Sequence, residues 1–149
     1  MPSTESRIVT SSRELRATPN RIFELIADPT RQPQWDGNDN LALAAPGQRV
    51  HSVGDVFTTV LKNGALRENH VVEFVEGRRI AWKPAEPGKV PVGHLWRWTL
   101  EPIDEERTLV AHTYDWTKLE DESRLDRARS TTSERLAASI DRLAVFVET

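Results

Sequence analysis

Residues 93–116 read GHLWRWTLEPIDEERTLVAHTYDW, and the reading of this stretch decides the fold. Taken as two strands, Gly93–Glu101 and Thr108–Trp116, it alternates throughout. His94, Trp96, Trp98 and Leu100 face one way; Leu95, Arg97, Thr99 and Glu101 face the other. PIDEER joins the strands as a hairpin loop of about six residues, slightly longer than the commonest ones. A register centred on Glu105 sets Leu100 opposite Val110, Trp98 opposite His112, Trp96 opposite Tyr114 and His94 opposite Trp116. A slip of two residues keeps the face and changes the partners. A slip of one turns a strand over, so the face is better determined than the register.

That face carries Trp96, Trp98, Tyr114 and Trp116, with His94 and His112 among them. Each buried Trp removes roughly 150–250 Å² from water, worth on the order of 4–6 kcal/mol at ~25 cal/mol per Å². Three of them rival the roughly 5–15 kcal/mol net stability of a whole domain. Stability alone therefore accounts for the rings. A core packed only for stability, however, favours aliphatics and rarely sets two histidines on one face. The cluster as a whole reads as a pocket wall; for any single ring, core and wall stay open.

Upstream, Arg7–Arg16 alternates as a strand, with Val9, Ser11, Arg13 and Leu15 on the inward side. Thr18-Pro19 supplies an N-cap and a first-turn proline for a helix whose stripe is Ile22, Phe23, Leu25 and Ile26. It stops at Asp28-Pro29. A short second helical piece carries Trp35 and closes on Asp36-Gly37. Strands are expected over Leu41–Val50, Val56–Lys62, Leu66–Val75 and Arg79–Pro84, with a type I′ turn at Asn63-Gly64. On the third of these, His70, Val72 and Phe74 read as inward together with Glu68, leaving Arg67 and Glu73 in solvent. On the fourth, Ile80 and Trp82 share a face, and a Pro/Gly loop over Ala85–Val92 follows.

At the end of the chain, Leu136, Ile140, Leu143 and Val147 make one face of an amphipathic helix. Thr131 and Glu134 resemble a capping box, with Ser123–Arg129 either an earlier turn or a lead-in loop. Glu134, Arg135, Asp141, Arg142 and Glu148 read as its solvated surface. The order is thus strand, helix pair, antiparallel meander and long helix. The helix must bury its stripe on the concave face of the sheet, and a cavity remains wherever it does not fill that concavity.

The totals narrow the function classes. The 149 residues fit one domain, 38% hydrophobic and 29% charged. A net charge of −3, without a basic stretch interleaved with aromatics, leaves no footprint for nucleic acid. With no cysteine, disulfides, thiolate catalysis and cysteine-ligated metals are excluded. No apolar run is long enough to span a bilayer and the N-terminus lacks a signal-like core, so a cytoplasmic location is expected. H-x-H, HExxH and carboxylates at ligand spacing are absent, so neither metal nor cofactor is expected.

The segments ATPNRIFELIADPTRQPQWDG, VEFVEGRRIAW, WRWTLEPIDEERTLVAHTYDW and ERLAASIDRLAVFVE span nearly the whole chain. In this order the chain resembles the START-like, or SRPBCC, superfamily, especially its polyketide cyclase/dehydrase-type members. The resemblance implies an α+β helix-grip fold over residues 1–149 as a single START-like domain. It has a curved antiparallel sheet of about six to seven strands wrapped around a long C-terminal helix, with two short helices after the first strand. It also implies an internal apolar cavity, but the family shares no catalytic motif.

The first expectation is a binding protein for an apolar small molecule: aromatic, polycyclic or lipid-like. Trp35, His70, Trp82, His94, Trp96, Trp98, His112, Tyr114 and Trp116 are its candidate contacts. Trp35 stands either as a gate or as a staple. The second is a polyketide cyclase or aromatase using His112 or Tyr114 as acid/base group and Arg13 at an enolate, Arg13 otherwise pairing with Glu68. The third is a protein-assisting module without a small-molecule ligand.

Overall fold

A computed structural model of the protein describes residues 6–148. The chain runs β1 (Ile8–Leu15), α1 (Pro19–Ala27), a 3-10 turn (Pro29–Arg31), α2 (Gln32–Trp35), β2 (Leu41–Leu43), β3 (Val56–Leu61) and β4 (Leu66–Val75). It continues through β5 (Arg79–Ala85), β6 (Leu95–Pro102), β7 (Thr108–Asp115), α3 (Glu122–Arg129) and α4 (Ser133–Val147). The strands form one antiparallel sheet in the order β1-β7-β6-β5-β4-β3-β2. This is a helix-grip architecture: the sheet holds the long α4, and two short helices follow β1.

The 93–116 hairpin adopts the register centred on Glu105, pairing Trp96 with Tyr114, Trp98 with His112 and Leu100 with Val110. The ladder begins at Leu95, so His94 lies just outside it. Leu136, Ile140, Leu143 and Val147 are all buried, as the stripe on α4 requires. The main core joins Ile140, Leu143 and Val147 to Ile22, Phe23 and Ile26 of α1 and to Leu15, Ile80, Trp98, Leu100 and Val110 of the sheet. A second apolar cluster lies under α3, where Tyr114, Trp116, Leu119, Ala128 and Leu136 meet.

Several local expectations give way. The strand expected over Leu41–Val50 survives only as Leu41–Leu43; the following residues form a loop through Pro46 and Gly47. Asn63 does not take the positive φ that a type I′ turn requires. Gly64 alone does, at 88°, and its N–H closes a turn on the Leu61 carbonyl. Residues 122–129 form a separate helix, so α4 starts afresh at Ser133. Its N-cap is Thr132, whose side chain accepts from the Arg135 N–H, rather than Thr131. Thr18 occupies the N-cap of α1 but makes no side-chain cap bond there.

The correction with most consequence is on β4. The ladder with β5 shifts between Val71, paired with Trp82, and Glu73, paired with Ala81. One extra residue at this bulge reverses the parity of the strand. Beyond it Phe74 faces the core, as the alternation predicts, and Glu73 faces outward to bind Arg97 at 2.6 Å. Before it the odd positions turn in: Asn69 and Val71 are buried opposite Pro84 and Trp82. His70 and Glu68 therefore lie on the outer face, His70 between Val56 and Lys83 in the ladder. The Glu68 carboxylate accepts the Gly88 N–H at 2.6 Å and is no partner of Arg13. Arg13 is exposed and reaches Asp141 at 2.9 Å and Glu148 at 3.4 Å on α4.

Candidate functional site

α4 covers only part of the sheet face, and a cavity of about 170 Å³ occupies the rest. Its floor is Thr59 and Leu61 from β3, Arg67 and Asn69 from β4, Trp82 and Pro84 from β5, His94 and Trp96, and His112 and Tyr114 from β7. Its roof comes from α2 and the turn after it (Gln32, Trp35, Asp36, Asn38) and from α3 and the start of α4 (Arg124, Arg127, Ala128, Thr131, Arg135).

Each roof segment is anchored by specific bonds. The Asp36 carboxylate accepts the N–H groups of Asn38, Asn40 and Leu41 at 3.1, 2.9 and 3.1 Å, which shapes the turn. Gly37 donates its N–H to Ser139 Oγ at 2.8 Å. A Cβ on Gly37 would stand 2.2 Å from the Arg135 carbonyl oxygen, so only glycine allows the turn this close to α4. Arg142 clamps the same turn through Asp39 and the Asp36 carbonyl. At the start of β6, Gly93 has φ 121° and passes so near Lys118 that a Cβ would meet its carbonyl oxygen at 2.3 Å.

The sequence candidates divide along the strands. Trp35, Trp82, His94, Trp96, His112 and Tyr114 line the cavity; Trp98, Trp116 and His70 do not. Trp98 is sealed in the main core, with Trp35 edge-on at 5.2 Å and His112 stacked at 3.7 Å. Trp116 lies beneath α3 with the Arg7 guanidinium 4.5 Å from its ring centre. His70 is removed by the bulge. Arg13 is withdrawn to the α4 surface by its two carboxylates. Trp35 acts as a staple: its indole N–H donates to the Leu25 carbonyl at 2.7 Å, fixing α2 to α1 while one side of the ring faces the cavity.

Electrostatics sets the protonation of the wall. His112 bonds the Arg97 carbonyl through Nδ1 at 3.0 Å. A carbonyl only accepts, so Nδ1 carries the proton and Nε2 is the lone-pair nitrogen. Burial pushes its pKa down to about 3, against that hydrogen bond, and the ring is neutral. Burial, reinforced by Arg124, Arg67 and Arg127, lowers His94 to about 4. Burial raises Tyr114 to about 12, with Arg127 and Arg124 opposing. Asn38 Oδ1 and His94 Nδ1 are buried without a protein hydrogen-bond partner.

Four arginines but a single carboxylate, Asp36, line this cavity, in a chain whose net charge is −3. The alternation places Arg67 in solvent because it does not register the bulge; Arg135 is exposed, as expected of the α4 surface, and also borders the cavity. Arg124 and Arg127 did have a signal: spaced i,i+3, they share one face of a short helix. Gln32, Asn38, Thr59 and Asn69 carried no such signal. No cluster of His, Asp or Glu among the described residues could hold a metal. No helix among them is long and apolar enough to cross a membrane.

Residues 6–148 match the family described as polyketide cyclase / dehydrase and lipid transport. An uncharacterized protein of Mycobacterium tuberculosis is 31% identical over 112 residues, covering 72% of this chain and 47% of the relative. The chain thus spans about half the length of the curated relatives it matches. Among solved structures, XoxI from Bacillus cereus superimposes with a TM-score of 0.68 at 15% identity, covering 96% of each chain. A norcoclaurine synthase point mutant from Thalictrum flavum, solved with a transition-state analogue, gives 0.65 at 14% identity over 99% of this chain and 98% of that one. At such identities these structures share the fold.

Proposed function

The chain belongs to the polyketide cyclase / dehydrase and lipid transport family, and we propose that it binds an apolar small molecule in the cavity beneath α3 and the first turn of α4. One observation carries this reading: a cavity walled by Trp35, Trp82 and Trp96 also has a few polar side chains, Thr59, Asn69, His94 and Tyr114, in its lining. Apolar walls with a few convergent polar groups are what orient a small ligand. An apolar cavity of about 150 Å³ accommodates benzene, so 170 Å³ suits one or two rings better than a polycyclic body.

The chemistry of the lining supports binding over proton transfer. A general acid or base works best with a pKa near the operating pH. His112 at about 3, His94 at about 4 and Tyr114 at about 12 all lie far from neutrality. Arg13, the enolate candidate, is on the far side of α4's contacts with β1.

Native mass spectrometry of protein purified from its own host tests the reading. A non-covalent small molecule should accompany the wild type and be lost from an Ala128→Phe variant that keeps its circular dichroism spectrum. Retention of the same mass in that variant would place the molecule elsewhere and reject the cavity.

A further inference from the structure

Within the binding reading just given, we propose that the ligand is an anion: an apolar body of one or two rings bearing a carboxylate or phosphate that meets Arg67 and Arg127 at the cavity mouth. The argument begins with how charge is compensated. Asp36 is the single carboxylate of the lining, and both its oxygens are already engaged by backbone N–H groups. Arg124 is neutralised by Glu86 at 2.9 Å and Asp121 at 3.3 Å. Among the described residues, Arg67, Arg127 and Arg135 form no ion pair, although the chain has more acidic residues than basic ones.

Arg67 is the most telling of the three. Arg49, Arg97 and Arg142 are half-buried like Arg67, and each has a carboxylate partner. Arg67 donates only to the adjoining Leu66 carbonyl, at 2.9 Å. Burial and then the charge of Arg124 lower its pKa, and the more distant charge of Glu86, which pairs with Arg124 and Lys89, offsets this only in part. The bulge in β4 turns Arg67 to the cavity side, opposite Thr59 on β3. Arg127 comes from α3 across the mouth, and the fields of Arg67, Arg124 and Arg127 converge on His94.

A partly desolvated cation without a partner is unfavourable, and an entering anion removes that penalty. Carboxylate and phosphate both match a guanidinium fork. The ring wall of Trp82, Trp96 and Tyr114 then takes the apolar body.

Isothermal titration of the full chain with 2-naphthoate, 2-naphthyl phosphate and the uncharged 2-naphthamide tests this. At least one anion should bind about tenfold or more tighter than the amide, the gain of one charge-assisted contact. Whichever anion binds tighter identifies the headgroup. Raising salt from about 20 mM to about 300 mM should weaken the anion and leave the amide unchanged, because screening acts on charge alone. The double variant Arg67→Gln/Arg127→Gln should lose the preference and keep the amide's affinity, whereas Arg78→Gln at the β4–β5 turn should keep both. If the double variant does not fold, the salt series on wild type decides. Equal binding of anions and amide by wild type overturns the anionic assignment and leaves the cavity reading standing. Binding of none of the three overturns both.

Discussion

Trp98 and Trp96 are two residues apart on one face of β6, paired with His112 and Tyr114 respectively, yet the first is sealed in the core and the second walls a cavity. The difference comes from what lies above them. Over Trp98 and Leu100 stand Ile140, Leu143 and Val147 of α4 with the apolar stripe of α1. Over Trp96 and His94 the cover is α3 and the Asp36–Asn38 turn, whose inward groups are largely arginine and amide. Trp96 borders both apolar clusters and marks where one regime passes into the other. Identical side chains therefore act as core or wall according to the reach of a helix more than 30 residues downstream.

The comparison breaks most directly if the two tryptophans prove equivalent. Trp98→Ala should cost about 3–5 kcal/mol in chemical denaturation, the usual loss for a fully buried ring. Trp96→Ala should cost less than half as much, since part of its surface already faces the cavity. Equal losses would mean that the cavity closes in solution.

Next in size is the roof. Gly37→Ala forces the turn off α4 and should cost about 2–3 kcal/mol, the upper range for a point substitution. Amide exchange in residues 36–41 should accelerate while residues 95–102 stay protected. Uniform acceleration would show that the two halves unfold as one unit.

A pH titration sharpens the contrast further. Unfolded histidine takes up a proton below about pH 6.5, whereas folded His112 and His94 resist protonation until about 3 and 4. Between those limits the unfolded state binds more protons, so stability is highest above pH 6.5 and falls as the pH drops. Each histidine removes up to about 1.4 kcal/mol per pH unit. Between pH 6.5 and 5, His112→Gln should flatten the slope of stability against pH; an unchanged slope would show that His112 is not buried neutral.

The smallest effect should come from Tyr114→Phe. Among the described residues its hydroxyl has no hydrogen-bond partner, so stability should change by about 0.5 kcal/mol or less. A larger loss would assign the hydroxyl to the core instead of the cavity.

Much of the architecture was legible because its signals are local and periodic. The inward face of the hairpin followed from strand parity, with the register centred on Glu105 one of those that parity allows, and the α4 stripe from its spacing of four, three and four. Proline set both ends of α1. The reading went wrong where a single residue broke a period. The bulge at Val71/Glu73 exchanged His70 and Glu68 for Arg67 and Asn69 on the inner face, removing one histidine from the lining and adding one cation. No composition cue at Val72 distinguishes a bulged position from a paired one.

The sequence by itself determined the main order of strand, helix pair, meander and long helix and the inward face of the aromatic hairpin, since parity depends only on neighbouring residues; among registers that differ by two residues, the structure decided. Tertiary structure alone decided which rings are core and which are wall, and which cations face the cavity. Those depend on how far α4 and α3 reach over the sheet and on the added residue in β4, contacts between segments distant in sequence that no local period encodes.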